Sequence, residues 1–424
     1  MLTFSTRILI ALINFPISII IARKLGAEGQ GAYSATVALT SFWATAFLFG
    51  IDTAHTYYLA SKRYSLAEIM THAFFWSLIL GVVATPLYIW VAPLMNADGG
   101  PLFSGVLTLS ALAVPLILLK YFLLSAFLGN QKITAYNLIT VASNLVLLAI
   151  LLVTLVWRPG GIRIAVISYL ISLAVFAIVG LIWVIRRVGR FSPRLSSEIL
   201  RESLSYGLKG HLGSLAIQGT YRLDQILITG MIGLQAQGFY SIAVLLAEKL
   251  SHVPSSVQLV LFPRVSSLTD EEANKITPMA CRTSFLLVIM IGVVLFLVAQ
   301  PIIELLYSKE FAPAVPALRI LVPGVALLSV GKILSSDLSG RNRRLGPSLI
   351  IVLAFLVNLT FNLLWIPRYG IEGAAWASTL SYGLQTVGLT LLFWKVSGVP
   401  PQRLLIPQKS DLVRLKGLWP GNTR

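Results

Sequence analysis

Seven basic side chains lie inside long apolar stretches of the sequence, where a charge is costly. They are Arg7, Lys120, Lys209, Arg222, Lys249, Arg319 and Lys332. A cation at the centre of a membrane helix costs roughly 2.5–3.5 kcal/mol, so it needs a partner, a function or a wet cavity. Arg and Lys hold anionic groups such as phosphates through charge-assisted hydrogen bonds. The chemistry that these residues favour is the binding of an anion within the membrane.

Depth within the apolar stretches separates these cations. The four deepest lie roughly 16–23 Å into their stretches at 1.5 Å per residue, and they are Lys120, Arg222, Lys249 and Lys332. The other three lie close enough to a helix end to extend their charged heads to water. We predict that the four deep cations and Arg7 line a cationic cavity that binds the substrate, with extension to water as the alternative for Arg7.

Four carboxylates also fall within the apolar stretches, namely Asp52, Asp224, Glu248 and Asp337. Ionisable groups inside a membrane often mark ion pathways. We predict Asp224, Glu248 and Asp52 as candidate sites for a coupling ion, either H+ or Na+. The structural alternative is a set of ion pairs across one helical hairpin, in which Arg222 and Asp224 face Glu248 and Lys249.

Polar residues also recur at helical spacing. His211, Ser214, Gln218, Arg222 and Gln225 stand at i, i+3, i+7, i+11 and i+14, which places them on one face of a helix. A shorter stripe runs through Arg7, Asn14 and Ser18, with Pro16 as the expected kink. We predict a polar cavity stripe that comprises Asn14, His211, Gln218 and Gln225. Polar packing between helices is the alternative.

The sequence lacks the motifs of covalent chemistry. It contains neither a GxxxxGK[ST] phosphate loop nor an HExxH motif, and its four histidines have no metal-ligand spacing. Cys281 is the single cysteine, which excludes an internal disulfide. No long loop carries paired carboxylates. We therefore expect a transporter rather than an enzyme, with no metal site and no cofactor other than a coupling ion.

Composition places these residues in a polytopic membrane protein. Hydrophobic residues make up 56% of the 424 residues and charged residues only 12%, against about 25% charged in soluble domains. Each span needs about 20 apolar residues, and only helices suit apolar runs of this length. The sequence predicts twelve transmembrane helices, at 2–22, 32–57, 69–93, 104–127, 134–156, 164–185, 208–230, 238–262, 282–300, 317–339, 345–365 and 373–394.

Basic residues predict the orientation of the chain. With twelve spans, twenty Lys and Arg fall on the side of the termini and six on the other, so both termini are expected in the cytoplasm. Anionic lipid headgroups account for the net charge of +17, and no nucleic acid is needed. We interpret the first span as retained rather than cleaved. It begins almost at Met1, which suggests a slightly shortened N-terminus.

An internal repeat divides the chain into halves. "LGAEGQGAYS" at 25–34 and "IGLQAQGFYS" at 232–241 share five of ten residues. Two weaker matches follow at nearly the same offset, and one of them aligns Lys120 with Lys332. Neither lysine has an acidic residue one turn away on its own helix, so we expect both to face one central cavity. We interpret the ten-residue motifs as tight outer turns, with Tyr33 and Tyr240 as anchors at the membrane interface.

The repeat predicts a parallel pair of six-helix lobes, an arrangement found in transporters. We predict an N-terminal lobe over 1–190, a cytoplasmic interfacial linker over 191–207, a C-terminal lobe over 208–396 and a basic cytoplasmic tail over 397–424. In the linker, Ser196 or Ser197 is expected to cap a short amphipathic helix over 198–206.

Several stretches carry a resemblance to a known family. They are "IIARKLGAEGQGAYS", "YRLDQILITGMIGLQAQGFYSIA", "LFPRVSSL", "ELLYSKEFAPAVPALRIL" and "NLTFNLLWIPRYGIEGAAWAST". In this order they resemble the O-antigen-type lipid-linked oligosaccharide flippases of the multidrug/oligosaccharidyl-lipid/polysaccharide superfamily. The resemblance implies an all-α, MATE-like fold of two pseudo-symmetric lobes in the bacterial inner membrane.

The resemblance also implies a substrate and partners. The substrate would be a polyprenyl-diphosphate-linked oligosaccharide moved to the outer leaflet for O-antigen or exopolysaccharide assembly. Membrane lipids and a polysaccharide polymerase machinery are the expected partners of a monomeric protein. Two alternatives stay open: a cation-coupled multidrug exporter of the same superfamily, and a multi-span glycan polymerase or ligase. A net-positive cavity disfavours the first, and the lack of a long outer loop disfavours the second.

Overall fold

A computed structural model describes residues 2–95, 100–157, 160–188 and 195–406, except for the side chains of 2–8, 11, 94, 95 and 101. These residues form helices joined by short turns, and they include no β-strand. The α-helices are α1 (Leu2–Leu48), α2 (Ile51–Ala60), α3 (Leu66–Val91), α4 (Gly100–Ser110), α5 (Ala113–Gly129), α6 (Ile133–Leu151), α7 (Ile162–Val188), α8 (Ser197–Met231), α9 (Leu234–Leu250), α10 (His252–Ser266), α11 (Asp270–Leu297), α12 (Ala299–Leu306), α13 (Ala314–Gly340), α14 (Leu345–Ser397) and α15 (Gln402–Leu405). The all-α prediction is confirmed.

Many of these helices are apolar enough to cross a membrane. Within the described ranges, seven helical segments meet the length and hydropathy of a span, and eight do so if the bent pair α1–α2 counts as one. Large apolar side chains such as Val82, Leu138 and Leu349 are exposed on the helix surfaces, where they can face lipid. The chain is thus a multi-pass membrane protein, and the count of twelve spans remains a prediction.

Helix α14 shows how one long helix contains two predicted spans. Its 53 residues are interrupted at Gly370, which has φ of 60° and is not helical. The two halves then pack side by side, since Ser381 Oγ donates a 2.8 Å hydrogen bond to the Ala354 carbonyl. The predicted spans 345–365 and 373–394 therefore correspond to two paired segments.

The predicted span 32–57 is wrong as one continuous helix. The chain breaks at Phe49 and Gly50, both with positive φ, and α2 leaves at 60° to α1. The cause is a close approach to α8, because a Cβ on Gly50 would lie 2.4 Å from the Gly207 carbonyl oxygen. Helix α1 also contains Pro16, and its non-helical residue is Gly26, with φ of 68°. The kink expected at Pro16 remains a prediction.

The chain divides into two compact units. Unit 1 comprises Met1–Ser241 and Leu306–Glu310, and unit 2 comprises Ile242–Leu305 and Phe311–Arg424. Helix α8 thus belongs with unit 1, although the repeat assigned residues from 208 onward to the C-terminal lobe. The predicted lobe boundaries, which rest on the repeat, remain a prediction. The tail from 407 and the linker residues 191–194 lie outside the described residues.

Each unit has its own apolar core. In unit 1 the largest fully buried side chains include Phe122, Phe127 and Phe176, from α5 and α7. In unit 2, Leu334, Leu338 and Phe393 pack together with no exposure. These cores hold α5, which carries Lys120, and α13, which carries Lys332. They also hold α7, which carries the aromatic neighbour of Lys120, Phe176.

The start of α8 is held against the α2–α3 turn of unit 1. Ser196 caps the helix by accepting a hydrogen bond from the Ile199 amide, as predicted, and His72 Nε2 accepts the Ser196 amide at 3.0 Å. Glu202 pairs with Arg63 and accepts the Tyr64 hydroxyl at 2.9 Å. Desolvation and this hydrogen bond raise the pKa of Tyr64. The predicted short helix is instead the first part of a 35-residue helix.

Candidate substrate-binding site

Lys120 lies half-buried on α5 in unit 1. Its Nζ is 5.3 Å from the centroid of the Phe176 ring on α7. A cation over an aromatic face gains about 0.5–2 kcal/mol, more when desolvated. This contact stabilises the ammonium group inside the membrane without neutralising its charge.

Arg222 lies half-buried on α8 and shares the same neighbourhood. It interacts electrostatically with the hydroxyl groups of Tyr121 on α5 and Tyr169 on α7. Tyr169 and Phe176 are seven residues apart, so they lie on one face of α7 with about 10 Å between them along the axis. Lys120 thus contacts α7 at Phe176, and Arg222 lies within electrostatic range of Tyr169 on the same helix.

Hydroxyl and carboxylate groups extend this polar cluster. Asp52, half-buried near the start of α2, interacts electrostatically with Tyr121 and with His211. Thr45 and Thr40 lie near the hydroxyls of Tyr121 and Tyr169, respectively. His211 is buried, and its Nε2 lies 3.2 Å from the Ala46 carbonyl oxygen. The cluster thus combines cations with groups that can hydrogen-bond to sugar hydroxyls.

The predicted polar stripe differs in burial along its length. Gln218 and Asn14 are half-buried, whereas His211 and Gln225 are buried. Gln225 Oε1 accepts a 3.2 Å hydrogen bond from Gln237 Nε2 on α9. Gln225 therefore contributes to helix packing in unit 1. The assignment of the whole stripe to a cavity remains a prediction.

Asp224 is a buried carboxylate with strong donors. The Tyr240 hydroxyl donates to its Oδ2 at 2.6 Å, and the Gln225 amide donates to its Oδ1 at 2.7 Å. Tyr240 is fully buried. Its predicted position as an interfacial anchor is therefore wrong, because the hydroxyl is needed inside to hold Asp224. Tyr33 packs edge-to-face on Tyr169, with ring centroids 6.3 Å apart.

The remaining predicted residues fall in unit 2, except for Arg7, whose side chain lies outside the described residues. Glu248 and Lys249 are half-buried on α9 and interact electrostatically. Lys332 is half-buried on α13, and its carbonyl accepts a 2.6 Å hydrogen bond from Gln258 Nε2. Since Lys120 belongs to unit 1 and Lys332 to unit 2, their shared cavity remains a prediction.

Sequence reasoning missed several polar residues that the fold brings together. Tyr121 and Tyr169 join the cluster in unit 1, and the position of Tyr121 next to Lys120 was the available signal. Arg341 follows the predicted span 317–339, and its Nε donates a 2.7 Å hydrogen bond to Asp337. The i, i+4 spacing of these two residues could have predicted the pair. No cluster of three or more potential metal ligands occurs among the residues that the structure describes.

The apolar helices and half-buried cations define a polytopic membrane protein of the transporter class. A family model described as "Polysaccharide biosynthesis protein" matches residues 20–316, more than half of the chain. This chain belongs to that family.

Curated relatives carry names that concern glycan export. The chain is 25% identical over 325 residues to the "Succinoglycan biosynthesis transport protein ExoT" of Rhizobium meliloti, which covers 73% of this chain and 62% of the relative. It is 26% identical over 227 residues to the "Probable low-salt glycan biosynthesis flippase Agl15" of Haloferax volcanii, covering 51% and 47%. An uncharacterized membrane protein of Methanocaldococcus jannaschii is 31% identical over 228 residues, covering 51% and 44%. The aligned region spans about half the length of these relatives.

Solved structures share the fold. A lipid II flippase MurJ in an inward closed conformation superposes with a TM-score of 0.79 at 17% identity, over 100% of this chain and 92% of that one. An inward-facing multidrug resistance MATE transporter gives 0.76 at 17% identity, over 92% and 95%. The MATE-like fold prediction and the family resemblance are confirmed.

Proposed function

We propose that this chain is a flippase for a polyprenyl-diphosphate-linked oligosaccharide. It moves the substrate from the cytoplasmic to the outer leaflet of a bacterial inner membrane for the assembly of a surface polysaccharide. The observation that carries the proposal is the pair of half-buried cations, Lys120 over the Phe176 ring and Arg222 within electrostatic range of Tyr121 and Tyr169. Membership of the polysaccharide biosynthesis family and the flippase and transport names of its relatives support it.

The side chains of unit 1 can bind both the diphosphate and the sugars of such a headgroup. Arg222 can hold a phosphate through two parallel N–H···O bonds, whereas Lys120 contributes a point charge. Asp52, Tyr121 and His211 offer hydrogen-bond partners to sugar hydroxyls. The headgroup would move through the protein while the polyprenyl tail stays in the bilayer, as alternating access of two repeats allows.

The energy source follows from the motifs that the sequence lacks. Without a phosphate-loop motif for ATP, transport would use a gradient of the substrate or of a coupling ion, H+ or Na+. Asp224 is the strongest candidate site for that ion, because it is a buried carboxylate within an apolar stretch. Glu248 and Asp52 are the other candidates.

The basic loops orient the protein with both termini in the cytoplasm. In that orientation the linker at 191–207 and the tail meet the anionic lipid headgroups of the inner leaflet. The protein would act as a monomer, with the polysaccharide polymerase machinery as its partner on the outer side.

The test is leaflet translocation in proteoliposomes that hold the purified protein. The probe is a polyprenyl-diphosphate disaccharide with a nitrobenzoxadiazole label, and external dithionite quenches the label in the outer leaflet. Wild-type protein should translocate the probe faster than protein-free vesicles do. Ethidium efflux is measured in parallel. Efflux of ethidium without movement of the probe would show that the protein is a drug exporter rather than a flippase. Formation of longer glycans would indicate a polymerase.

A further inference from the structure

The start of α8 is held by an acceptor that only a neutral histidine provides. His72, which is 1% exposed on α3, accepts the backbone amide of Ser196 through Nε2 at 3.0 Å. A backbone amide can only donate, so Nε2 carries no proton, and the single ring proton lies on Nδ1. This contact therefore defines both the charge and the tautomer of His72.

A second proton on His72 is incompatible with the contact. Both ring nitrogens of an imidazolium donate, so a protonated Nε2 would face the Ser196 amide, which is also a donor. A buried polar group that loses its partner is costly, and here both groups would lose theirs. Protonation must therefore move either the imidazole ring or the start of α8.

The buried surroundings of His72 also disfavour a charged ring. Three of its polar neighbours' atoms, Trp76 Nε1 one turn further along α3 and both ring nitrogens of His55 on α2, have no hydrogen-bond partner among the described residues, and neither does Nδ1 of His72 itself. His55 is fully buried and interacts electrostatically with His72, so a proton on one ring opposes a proton on the other. An imidazolium therefore gains no support in this position.

A carboxylate near the end of α3 favours outward movement of a charged ring. Glu68 lies in the first turn of α3, four residues before His72, and interacts electrostatically with it. Residues at i and i+4 lie on the same face of a helix, so an imidazolium that turned towards the helix end would meet this carboxylate. The neutral and the charged forms of His72 thus favour different positions of the ring.

Other charged side chains on the helices around α3 are exposed or bound to other groups. Lys120 on α5 lies over the Phe176 ring, and Glu202 on α8 pairs with Arg63. The exposed ones include Glu198 on α8, Arg186 and Arg187 on α7, and Arg23, Lys24 and Glu28 on α1. His55 and Glu68 are therefore the titratable groups that set the response of His72.

The contact fixes the helix that carries part of the candidate site. Ser196 is the N-cap of α8, and Arg222 and Asp224 lie further along the same helix. Leu195 is 52% exposed and Ser196 is half-buried, so solvent lies close to the bond. A small local opening is enough to bring a proton to the ring.

We propose that His72 is a proton-sensitive anchor, which holds the start of α8 when neutral and releases it when protonated. Histidine changes its charge between about pH 5 and 8. Acidification on the predicted cytoplasmic side would loosen the first turns of α8 and slow transport. His72 is thus a positioning residue that acts through α8. The effect on transport rests on the proposed function, whereas the release of α8 does not.

The anchor is tested by hydrogen exchange of the purified full-length protein in detergent micelles at about pH 8 and about pH 5.5, on either side of the histidine range. Protection is the ratio of intrinsic to measured exchange rate, which removes the direct effect of pH on exchange. In wild-type protein, amides in the first two turns of α8 should lose about tenfold in protection at the lower pH. The start of α11, which Thr269 caps, is the internal control and should change little.

Two variants separate the charge of His72 from its hydrogen bond. His72→Gln offers an amide oxygen that accepts the Ser196 amide at either pH, so protection should be high at both. His72→Leu offers no acceptor, so protection should be low at both. His252→Gln changes an exposed histidine of unit 2 and should respond to pH as wild-type protein does.

Equal protection of α8 at the two pH values in wild-type protein would overturn the anchor, and this result needs no variant. A loss of protection in His72→Gln as large as in wild-type protein would assign the pH response to another group and would also overturn it.

Translocation of the labelled probe is compared at the same two pH values. Acidification should slow wild-type protein by about threefold or more relative to His72→Gln, because the population with an anchored α8 falls. Identical pH profiles of the two proteins would contradict the control of transport by His72. Absence of translocation in both proteins at both pH values would reject the proposed function, and hydrogen exchange would still decide whether the anchor exists.

Discussion

The guanidinium of Arg341 encloses the fully buried carboxylate of Asp337, with Nε to Oδ1 at 2.7 Å and Nη2 to Oδ2 at 3.3 Å. Thr277 Oγ1 donates to the same carboxylate at 2.5 Å, and Arg341 also binds Asp270 and Asn274 on α11. This network ties the end of α13 to the start of α11 in unit 2. It uses the charge of Asp337 for structure rather than for binding an ion.

Removal of Arg341 should therefore destabilise unit 2. We expect Arg341→Leu to lower the free energy of unfolding by about 3–5 kcal/mol, because Asp337 keeps a buried and uncompensated charge. Unfolding in detergent micelles measures the loss. Arg343→Ala, at an exposed position two residues on, is the matched control and should change little. Equal stability of both variants would mean that the pair contributes nothing.

Arg222 should be needed for transport rather than for folding. Arg222→Ala should lower the rate of probe translocation by about tenfold to a hundredfold, consistent with the loss of 1.5–3 kcal/mol from charged hydrogen bonds. Arg222→Lys should retain part of the rate, because the ammonium keeps the charge but loses the two-pronged geometry.

Lys209→Ala is the control for Arg222, since Lys209 is exposed on the same helix. The amount of protein in the membrane is measured beside the rate. Normal translocation by Arg222→Ala at normal abundance would remove Arg222 from the site. A large loss of abundance would assign it to folding.

Asp224 should couple transport to an ion gradient. Asp224→Asn preserves the size of the side chain and can still accept the Tyr240 hydroxyl, but it no longer offers a carboxylate to a proton or Na+. We expect the variant to lose stimulation by an H+ or Na+ gradient while it still equilibrates the probe. Tyr240→Phe, which keeps the carboxylate, should remain stimulated. Full stimulation of Asp224→Asn would exclude Asp224 as the ion site.

Gly31 and Gly238, which hold matching positions in the two copies of the repeated motif, should respond equally to substitution. Gly31→Ala and Gly238→Ala each place a Cβ within 2 Å of a carbonyl oxygen. Each should lower the melting temperature, with a cost of about 1–3 kcal/mol as for overpacking. Gly210→Ala meets no atom within 4 Å on helix α8, so it should be neutral or stabilising. Clearly unequal effects would contradict the equivalence of the two contacts, in which Gly31 faces the Leu234 carbonyl and Gly238 the Ala27 carbonyl.

Much of the fold follows from the sequence, because hydropathy and length suffice to predict membrane helices. The division of α14 into two spans followed from the apolar runs on either side of Gly370. The break at Gly50 could not be predicted from the sequence, since it depends on the approach of Gly207 from a helix far along the chain. Helix α8 was assigned to the second half by the repeat, yet its contacts hold it in unit 1.

Some of the polar residues could likewise be predicted from the sequence, and others could not. Lys120 and Arg222 stand out because charges in apolar runs are rare, and in the structure both interact with aromatic side chains of α7. Tyr240 was misplaced, because a tyrosine near the end of a span serves equally well as an interfacial anchor or as a buried donor. Only the position of Asp224 in three dimensions decides between them.

The most direct measurement compares two labelled probes in the same proteoliposomes. One is the polyprenyl-diphosphate disaccharide, and the other is the same disaccharide joined to the polyprenol without phosphate. If Lys120 and Arg222 bind the diphosphate, wild-type protein should translocate the first probe at least about tenfold faster, in keeping with the energy of charge-assisted hydrogen bonds. Equal rates for the two probes would contradict recognition of the diphosphate by these cations.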